Sequence, residues 1–278
     1  VARAGNDTAL ILPVNSIQLN GNASSDADGT ITAYLWSKIS GPGQYILSNT
    51  AVANPVLSNL VNGIYQLELR VTDDLGATGK DTMNVTVNPA ANLPPAANAG
   101  PDITITLPTN TATLNGSGTD PDGTITAYAW AKIAGPAAGT LANANTATAT
   151  ANGLVAGVYS YQLTVTDNNG ATGKDTMNVT VNQPPTANAG PDITITLPIN
   201  TATLSGSGTD PDGTITAYAW IKIAGPAAGT LANANTATAT ASGLVEGVYS
   251  YQLTVTDNRG ATGRDSVLVT VNAQPPGT

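Results

Sequence analysis

The feature that most constrains this chain is an internal repeat. Ala-Asn-Ala-Gly-Pro-Asp stands at 97–102 and again at 187–192, and Asp-Pro-Asp-Gly-Thr-Ile-Thr-Ala-Tyr-Ala-Trp at 120–130 recurs at 210–220, an offset of 90 residues. Between 97–182 and 187–272 ten of 86 aligned positions differ, several of them conservatively, as with Lys174 and Arg264. A more divergent copy precedes them, with Ala4-Gly5-Asn6-Asp7, Asp26-Ala27-Asp28-Gly29, Trp36 and Val71-Thr72-Asp73 at corresponding places. The 278 residues therefore divide into three consecutive units, each long enough for one small domain. The expected boundaries are a first domain at 1–88, a Pro/Ala linker at 89–96, a second domain at 97–182, a linker at 183–186, a third domain at 187–272 and the start of a further linker at 273–278.

The linkers carry paired prolines, at Pro94-Pro95 and Pro184-Pro185. Such pairs favour an extended, stiff connection, so the three domains are expected to form a rod. The chain starts at Val1 without an initiator methionine and closes on Gln274-Pro275-Pro276-Gly277-Thr278, which reads as the opening of another linker. It is expected to be a segment of a longer array.

Within a unit the hydrophobic period is two. Ile103, Ile105 and Leu107 alternate with Thr104 and Thr106, and Tyr161, Leu163 and Val165 alternate with Gln162, Thr164 and Thr166. These are half-buried strands with threonine facing outward. Glycine and proline clusters at 116–123, 135–139 and 153–157 supply turns. About seven short strands in some 90 residues predict an all-β, immunoglobulin-like antiparallel sandwich. Trp130 falls on the third strand, where such folds bury a tryptophan between the sheets, and Tyr159 is placed as a tyrosine corner.

Composition excludes several functions. There is no histidine and no cysteine, which removes the commonest general base, a common metal ligand and the thiolate nucleophile. Nine basic residues against 18 acidic ones give a net charge of −9, a sign that repels phosphate backbones, so nucleic acid is not an expected partner. No apolar run reaches the ~18 residues of a membrane span, so this segment is not expected to insert. Aspartates two residues apart in one turn cannot flank a glycosidic bond from opposite sides. No enzyme and no organic cofactor are expected.

The motifs Asn98-Ala99-Gly100-Pro101-Asp102, Gly118-Thr119-Asp120-Pro121-Asp122-Gly123, Tyr128-Ala129-Trp130, Gly157-Val158-Tyr159 and Leu163-Thr164-Val165-Thr166-Asp167, repeated in the third unit, resemble the PKD (polycystic kidney disease) domain family. The branch they resemble is the dyslexia-associated-receptor type, also found in large secreted bacterial proteins, which lacks the Trp-Asp-Phe-Gly-Asp motif of other PKD domains. The resemblance implies a non-catalytic spacer or adhesion module, secreted or at the cell surface, with neighbouring repeats, self-association into a filament or sheath, or extracellular polysaccharide as partners. The alternative it allows is a carbohydrate-binding or spacer appendage of a secreted polysaccharide- or protein-degrading enzyme.

In an immunoglobulin-like topology the loops after the second and the penultimate strands share one pole. Asp120, Asp122 and Asp167 are expected there, with Asn98 entering from the linker. Asp210, Asp212, Asp257 and Asn188 repeat the set in the third unit. Carboxylates with an amide oxygen form a hard-oxygen site suited to calcium. Asp26, Asp28 and Asp73 form a weaker version in the first unit, where Arg3 replaces the asparagine. The same Asp-Pro-Asp-Gly is also a good turn on its own.

Three smaller readings remain. Asp-Thr/Ser-aliphatic at Asp81-Thr82, Asp175-Thr176 and Asp265-Ser266 is similar to an O-glycosylation acceptor, making Thr82, Thr176 and Ser266 candidates beside the plain reading of outward strand hydroxyls. Lys38, Lys132 and Lys222 are candidates for intramolecular Lys-Asn crosslinks. The Thr-Ala tracts at 146–151 and 236–241 raise an ice-binding surface as a remote alternative.

Overall fold

The computed structural model describes residues 1–275, so the last residues of the 273–278 segment lie outside the described residues. Every element is a strand. The first domain holds β1 (Thr8–Ile11), β2 (Ile17–Gln18), β3 (Ile31–Ser40), β4 (Ile46–Leu47), β5 (Val56–Ser58), β6 (Gly63–Asp73) and β7 (Thr78–Asn88). The second holds β8 (Ala96–Asn98), β9 (Ile103–Thr106), β10 (Ala112–Asn115), β11 (Ser117–Thr119), β12 (Ile125–Ala134), β13 (Thr140–Ala142), β14 (Thr148–Asn152), β15 (Gly157–Asp167) and β16 (Thr172–Asn182). The third repeats that pattern with β17 (Thr186–Asn188), β18 (Ile193–Thr196), β19 (Ala202–Ser205), β20 (Ser207–Thr209), β21 (Ile215–Ala224), β22 (Thr230–Ala232), β23 (Thr238–Ser242), β24 (Gly247–Asp257) and β25 (Thr262–Asn272). No helix among the described residues is long and apolar enough to cross a membrane.

Each domain is a sandwich of two sheets. In the second, β9-β16-β15-β12 form a four-stranded sheet, β10-β14-β13 a three-stranded one, and β11 with β8 closes a corner. The short first strand of the larger sheet runs parallel to the last, with Ile103 opposite Val179, while the other pairs are antiparallel. The alternation read from the sequence is the cause: Tyr159, Tyr161, Leu163 and Val165 on β15 and Met177, Val179 and Val181 on β16 are buried, and the residues between them face out. Three separate hydrophobic cores result, one per domain.

Trp130 is 4 % exposed at the centre of its core, and its indole Nε1 donates to the Ala147 carbonyl at 3.2 Å. Gly116 is held to glycine by lack of space, since a β-carbon there would meet the edge of the Trp130 ring and the Leu163 side chain. The tyrosine corner forms: the Tyr159 hydroxyl accepts from the Val155 N–H at 2.9 Å and donates to the Val155 carbonyl at 3.2 Å.

Candidate functional site: the linker pole

The Gly-Pro-Asp motifs and the Asp-Thr/Ser motifs turn out to be two halves of one latch. Asp102 accepts the Asn178 N–H at 2.7 Å and Asp175 accepts the Ala99 N–H at 2.8 Å, so the entering chain and β16 each hold the other through an aspartate. The third domain repeats this with Asp192 to Leu268 and Asp265 to Ala189, and the first with Asp7 to Asn84 and Asp81 to Ala4. Hydrogen bonds from the backbone and side chain of Asn84 hold the Asp7 carboxyl below its ordinary pKa. The aspartates of the candidate glycosylation motifs thus have a structural task, while Thr82, Thr176 and Ser266 beside them are exposed.

At the pole where the linker enters, the loops after β11 and β15 meet as expected. Asn168 Oδ1 accepts the Thr124 N–H at 2.8 Å, and a β-carbon at Gly123 would collide with Asn168 and Asp120. Asp167 is buried, and its Oδ1 accepts the N–H groups of Asn169 at 2.8 Å and Ala171 at 2.9 Å. Asp122 reaches the linker, accepting the Leu93 N–H at 3.1 Å. Asp120 differs from both: its two carboxylate oxygens are buried without a hydrogen-bond partner. Burial pushes its carboxyl above the ordinary carboxylate range, and the like charges of Asp122 and Asp167 add to this.

Asn98 does not join them. It is exposed at the far end of β8, opposite Ser117, and its Oδ1 closes a turn on the Gly100 N–H at 2.8 Å; Asn188 does the same with Gly190 at 2.9 Å. The linker's backbone meets the pole through the N–H of Leu93 on Asp122 and of Gln183 on Asp212. Among the described residues no three acidic side chains come close enough together to hold a metal ion.

The third domain's pole is a clasp on the second domain. Asn182, the last residue of β16, is fully buried, and its Nδ2 donates to Asp257 Oδ2 at 2.7 Å. Arg259 Nη1 donates to Asn182 Oδ1 at 3.1 Å, to the Asp212 carbonyl at 2.9 Å and to Asp212 Oδ2 at 3.2 Å. Asp212 in turn accepts the Gln183 N–H at 3.2 Å. Asp257 Oδ1 accepts the N–H groups of Arg259 and Ala261, each at 2.8 Å. Burial opposes ionisation of Asp257, but the hydrogen bonds from Asn182, Arg259, Ala261 and Gly260 outweigh it and hold its carboxyl below the ordinary pKa. Beyond Gln183 the strap passes over Gly263, where a β-carbon would collide with the Pro185 carbonyl; Gly173 stands in the same relation to Pro95. Asn182 and Arg259 were not singled out by sequence reasoning. The signal available was Arg259 itself, one of the ten positions at which two near-identical repeats differ.

The other candidate groups are committed elsewhere. Lys132 Nζ donates to the carbonyls of Pro136, Ala137 and Ala138 and Lys222 Nζ to those of Pro226, Ala227 and Ala228, so both ammonium groups cap a loop. Trp36, Trp130 and Trp220 are buried, and among the described residues Tyr45 alone of the aromatics is exposed, with Lys38 Nζ 4.5 Å from its ring centre. Among the described residues no two exposed aromatic rings share a face. In the Thr-Ala tracts, Ala149 and Ala151 are buried and only Thr148 and Thr150 of β14 face outward, a short row beside β10 and β13.

The architecture defines a class: tandem immunoglobulin-like sandwiches whose recurring polar residues are spent on latches, turns and linker clasps. A family model described as K319L-like, PKD domain matches residues 4–87, 99–181 and 189–271, and the chain belongs to that family. It is 38% identical over 286 residues to the human dyslexia-associated protein KIAA0319, covering 99% of this chain and 26% of that protein. It is likewise 38% identical over 284 residues to the mouse KIAA0319-like protein, covering 99% and 27%. The chain thus spans about a quarter of the length of these relatives. Among solved structures it resembles the PKD domain from KIAA 1837 protein, 42% identical over 33% of this chain and 90% of that one, with a TM-score of 0.31.

Proposed function

We propose that the chain is a non-catalytic, extracellular structural and adhesive spacer whose purpose is to set the geometry of consecutive domains. The observation that carries this reading is the clasp at Asn182. It occupies the pole of the third domain with the strap of the second, and so uses the loops where immunoglobulin-like folds commonly bind ligands. A junction closed by a buried amide, a carboxylate and a guanidinium resists bending more than a bare linker does. Backbone ¹⁵N relaxation tests it: the second and third domains of the wild-type chain are expected to share one rotational correlation time, and Asn182→Ala combined with Arg259→Ala is expected to separate them. Independent tumbling of the two domains in the wild type would overturn the reading.

Edge pairing is not the route we favour for any self-association. The outer strand β12 carries irregularities between Ile125 and Ala127 and between Lys132 and Ala134, and bulges of this kind blunt an exposed edge.

Calcium belongs in the proposal at one pole. In the second domain the unpartnered oxygens of Asp120, which feel the charges of Asp122 and Asp167, are donors a hard cation could take if the loops drew in around it. In the third, the Arg259 guanidinium already neutralises Asp212, so calcium should gain least there, the reverse of the order suggested by Arg3. With dissociation constants of extracellular modules on the order of 10⁻⁴ to 10⁻³ M, 10 mM calcium is expected to raise the second domain's unfolding midpoint by roughly 5 °C or more and leave the third unchanged. Arg259→Asn should confer the effect on the third domain. Calorimetry with and without chelator decides; equal curves for every domain would leave these aspartates as turn and linker residues.

A further inference from the structure

We propose that the outer face of the third domain's larger sheet is a self-complementary interface that pairs with the same face of a second copy of the chain. The face is formed by the outward residues of β21, β24 and β25, and Ile221, Ile223, Val248 and Leu268 on it are each about half exposed. Register gathers them. Ser250 of the central strand β24 is flanked by Leu268 on one side and Ile223 on the other, with Ile221 two residues to one side of that level and Val248 two residues to the other.

The second domain shows that this patch is no requirement of the fold. Of the ten positions that separate the two domains, five fall on or beside this face: Ile221 stands for Ala131, Glu246 for Ala156, Arg264 for Lys174, Ser266 for Thr176 and Leu268 for Asn178. In the second domain Asn178 Oδ1 accepts the Ser160 hydroxyl at 2.7 Å and keeps the face polar, whereas Leu268 presents an exposed aliphatic group in its place. A neighbour in tandem leaves such a face open. With the third domain clasped after the second, Ile133 and Val158, the equivalents of Ile223 and Val248, are still about half exposed.

Charge selects a second copy as the occupant. Glu246 is exposed just before β24, and Arg264 is exposed on β25 opposite Thr254, so they stand about 13 Å to either side of the Ser250 level. Among the described residues neither makes an ion pair within its own chain. A two-fold axis that crosses the strands at the Ser250 level lays each strand antiparallel over its own copy. It sets Leu268 against Leu268 and Ile223 against Ile223 at the axis, Ile221 beside the second copy's Val248, and Arg264 over the second copy's Glu246. Arginine and glutamate thus close the apolar patch at both ends, with the two sheets ~10 Å apart as in a packed sandwich. Such a face covers roughly 500 Å² per copy, below the ~800 Å² of a standard interface, so a Kd on the order of 10⁻⁴ M is expected.

Sedimentation equilibrium of the full chain from about 10 μM to about 1 mM tests this. The wild type is expected to pass from monomer to dimer over that range, with concentration-dependent ¹H–¹⁵N shifts at Val248 and Leu268 and none at Val158 and Asn178. Ile221→Ala combined with Leu268→Asn installs the second domain's own residues, so the fold is kept, and should weaken the dimer at least about tenfold. Glu246→Arg and Arg264→Glu should each weaken it at least about fivefold, and an equimolar mixture of the two variants should recover the dimer, because opposite charges then meet at both ends. A chain that stays monomeric throughout the range, shifts that map to another surface, a dimer indifferent to the Ile221 and Leu268 changes, or a mixture that does no better than either charge variant alone would overturn the proposal.

Discussion

Replacing Trp220 by alanine is expected to unfold the third domain at temperatures at which the first two remain folded. The indole is 2 % exposed, bonded through Nε1 to the Ala237 carbonyl at 3.3 Å, and packed so closely that Gly206 has no room for a β-carbon. Truncating a buried tryptophan costs about 3–5 kcal/mol in lost contacts and cavity. A domain of this size has about 4–13 kcal/mol of net stability, so the loss removes much of what holds it. The three cores are separate, which confines the effect. Calorimetry or hydrogen exchange resolved by domain is the measurement. A sugar-stacking tryptophan on the surface would lose under about 1 kcal/mol, so a small change would contradict the burial of this indole between the sheets.

The parts of the fold legible in the sequence were those set by local pattern. Period-two alternation placed Tyr161, Leu163 and Val165 inside, and the position of Trp130 on the third strand put it between the sheets, as found. The shared pole of the loops after β11 and β15 followed from topology alone. The failures have one physical cause: a side chain's partner is chosen by geometry that sequence spacing does not encode. Asn98 was assigned to the pole because it precedes the domain, yet a turn two residues long satisfies its Oδ1 on Gly100. Asp175, which sequence spacing ties only to Thr176, reaches across 76 residues to Ala99, a contact that leaves the reading of Thr176 as it stands. Asn182 stands at the boundary between domain and linker with nothing in its spacing to distinguish it, and only the third domain packed against it makes it a buried partner of Asp257.

These contacts also offset the mutual repulsion of the carboxylates at the places where the aspartates gather. The aspartates of the latches, turns and linker ties face N–H donors, and a carboxylate that accepts two or three N–H groups is stabilised in its ionised form. The exceptions are Asp120, both of whose carboxylate oxygens are buried without a partner, and its counterpart Asp210, whose Oδ2 is.

Asp257 gives the second large effect, and one that depends on pH. Asp257→Ala would leave the buried Asn182 amide and the partly buried N–H groups of Arg259 and Ala261 without their acceptor. Each such orphan costs about 1–3 kcal/mol, and although the losses do not add fully, the third domain is expected to melt at least roughly 10 °C lower. Asp257→Asn keeps the shape and one acceptor, so its cost at neutral pH should be smaller, and it isolates the charge. The wild-type carboxyl has a folded pKa below its unfolded value of about 3.9. Its contribution is therefore fully present above that value and is lost as the pH falls through the folded pKa. The difference in third-domain midpoint between wild type and Asp257→Asn should be constant from pH 7 to about pH 5 and shrink steadily toward pH 3. Midpoints that stay parallel down to pH 3 would mean that the Asn182 clasp does not depend on an ionised partner, and the junction would then owe its closure to packing rather than to the Asp257 charge.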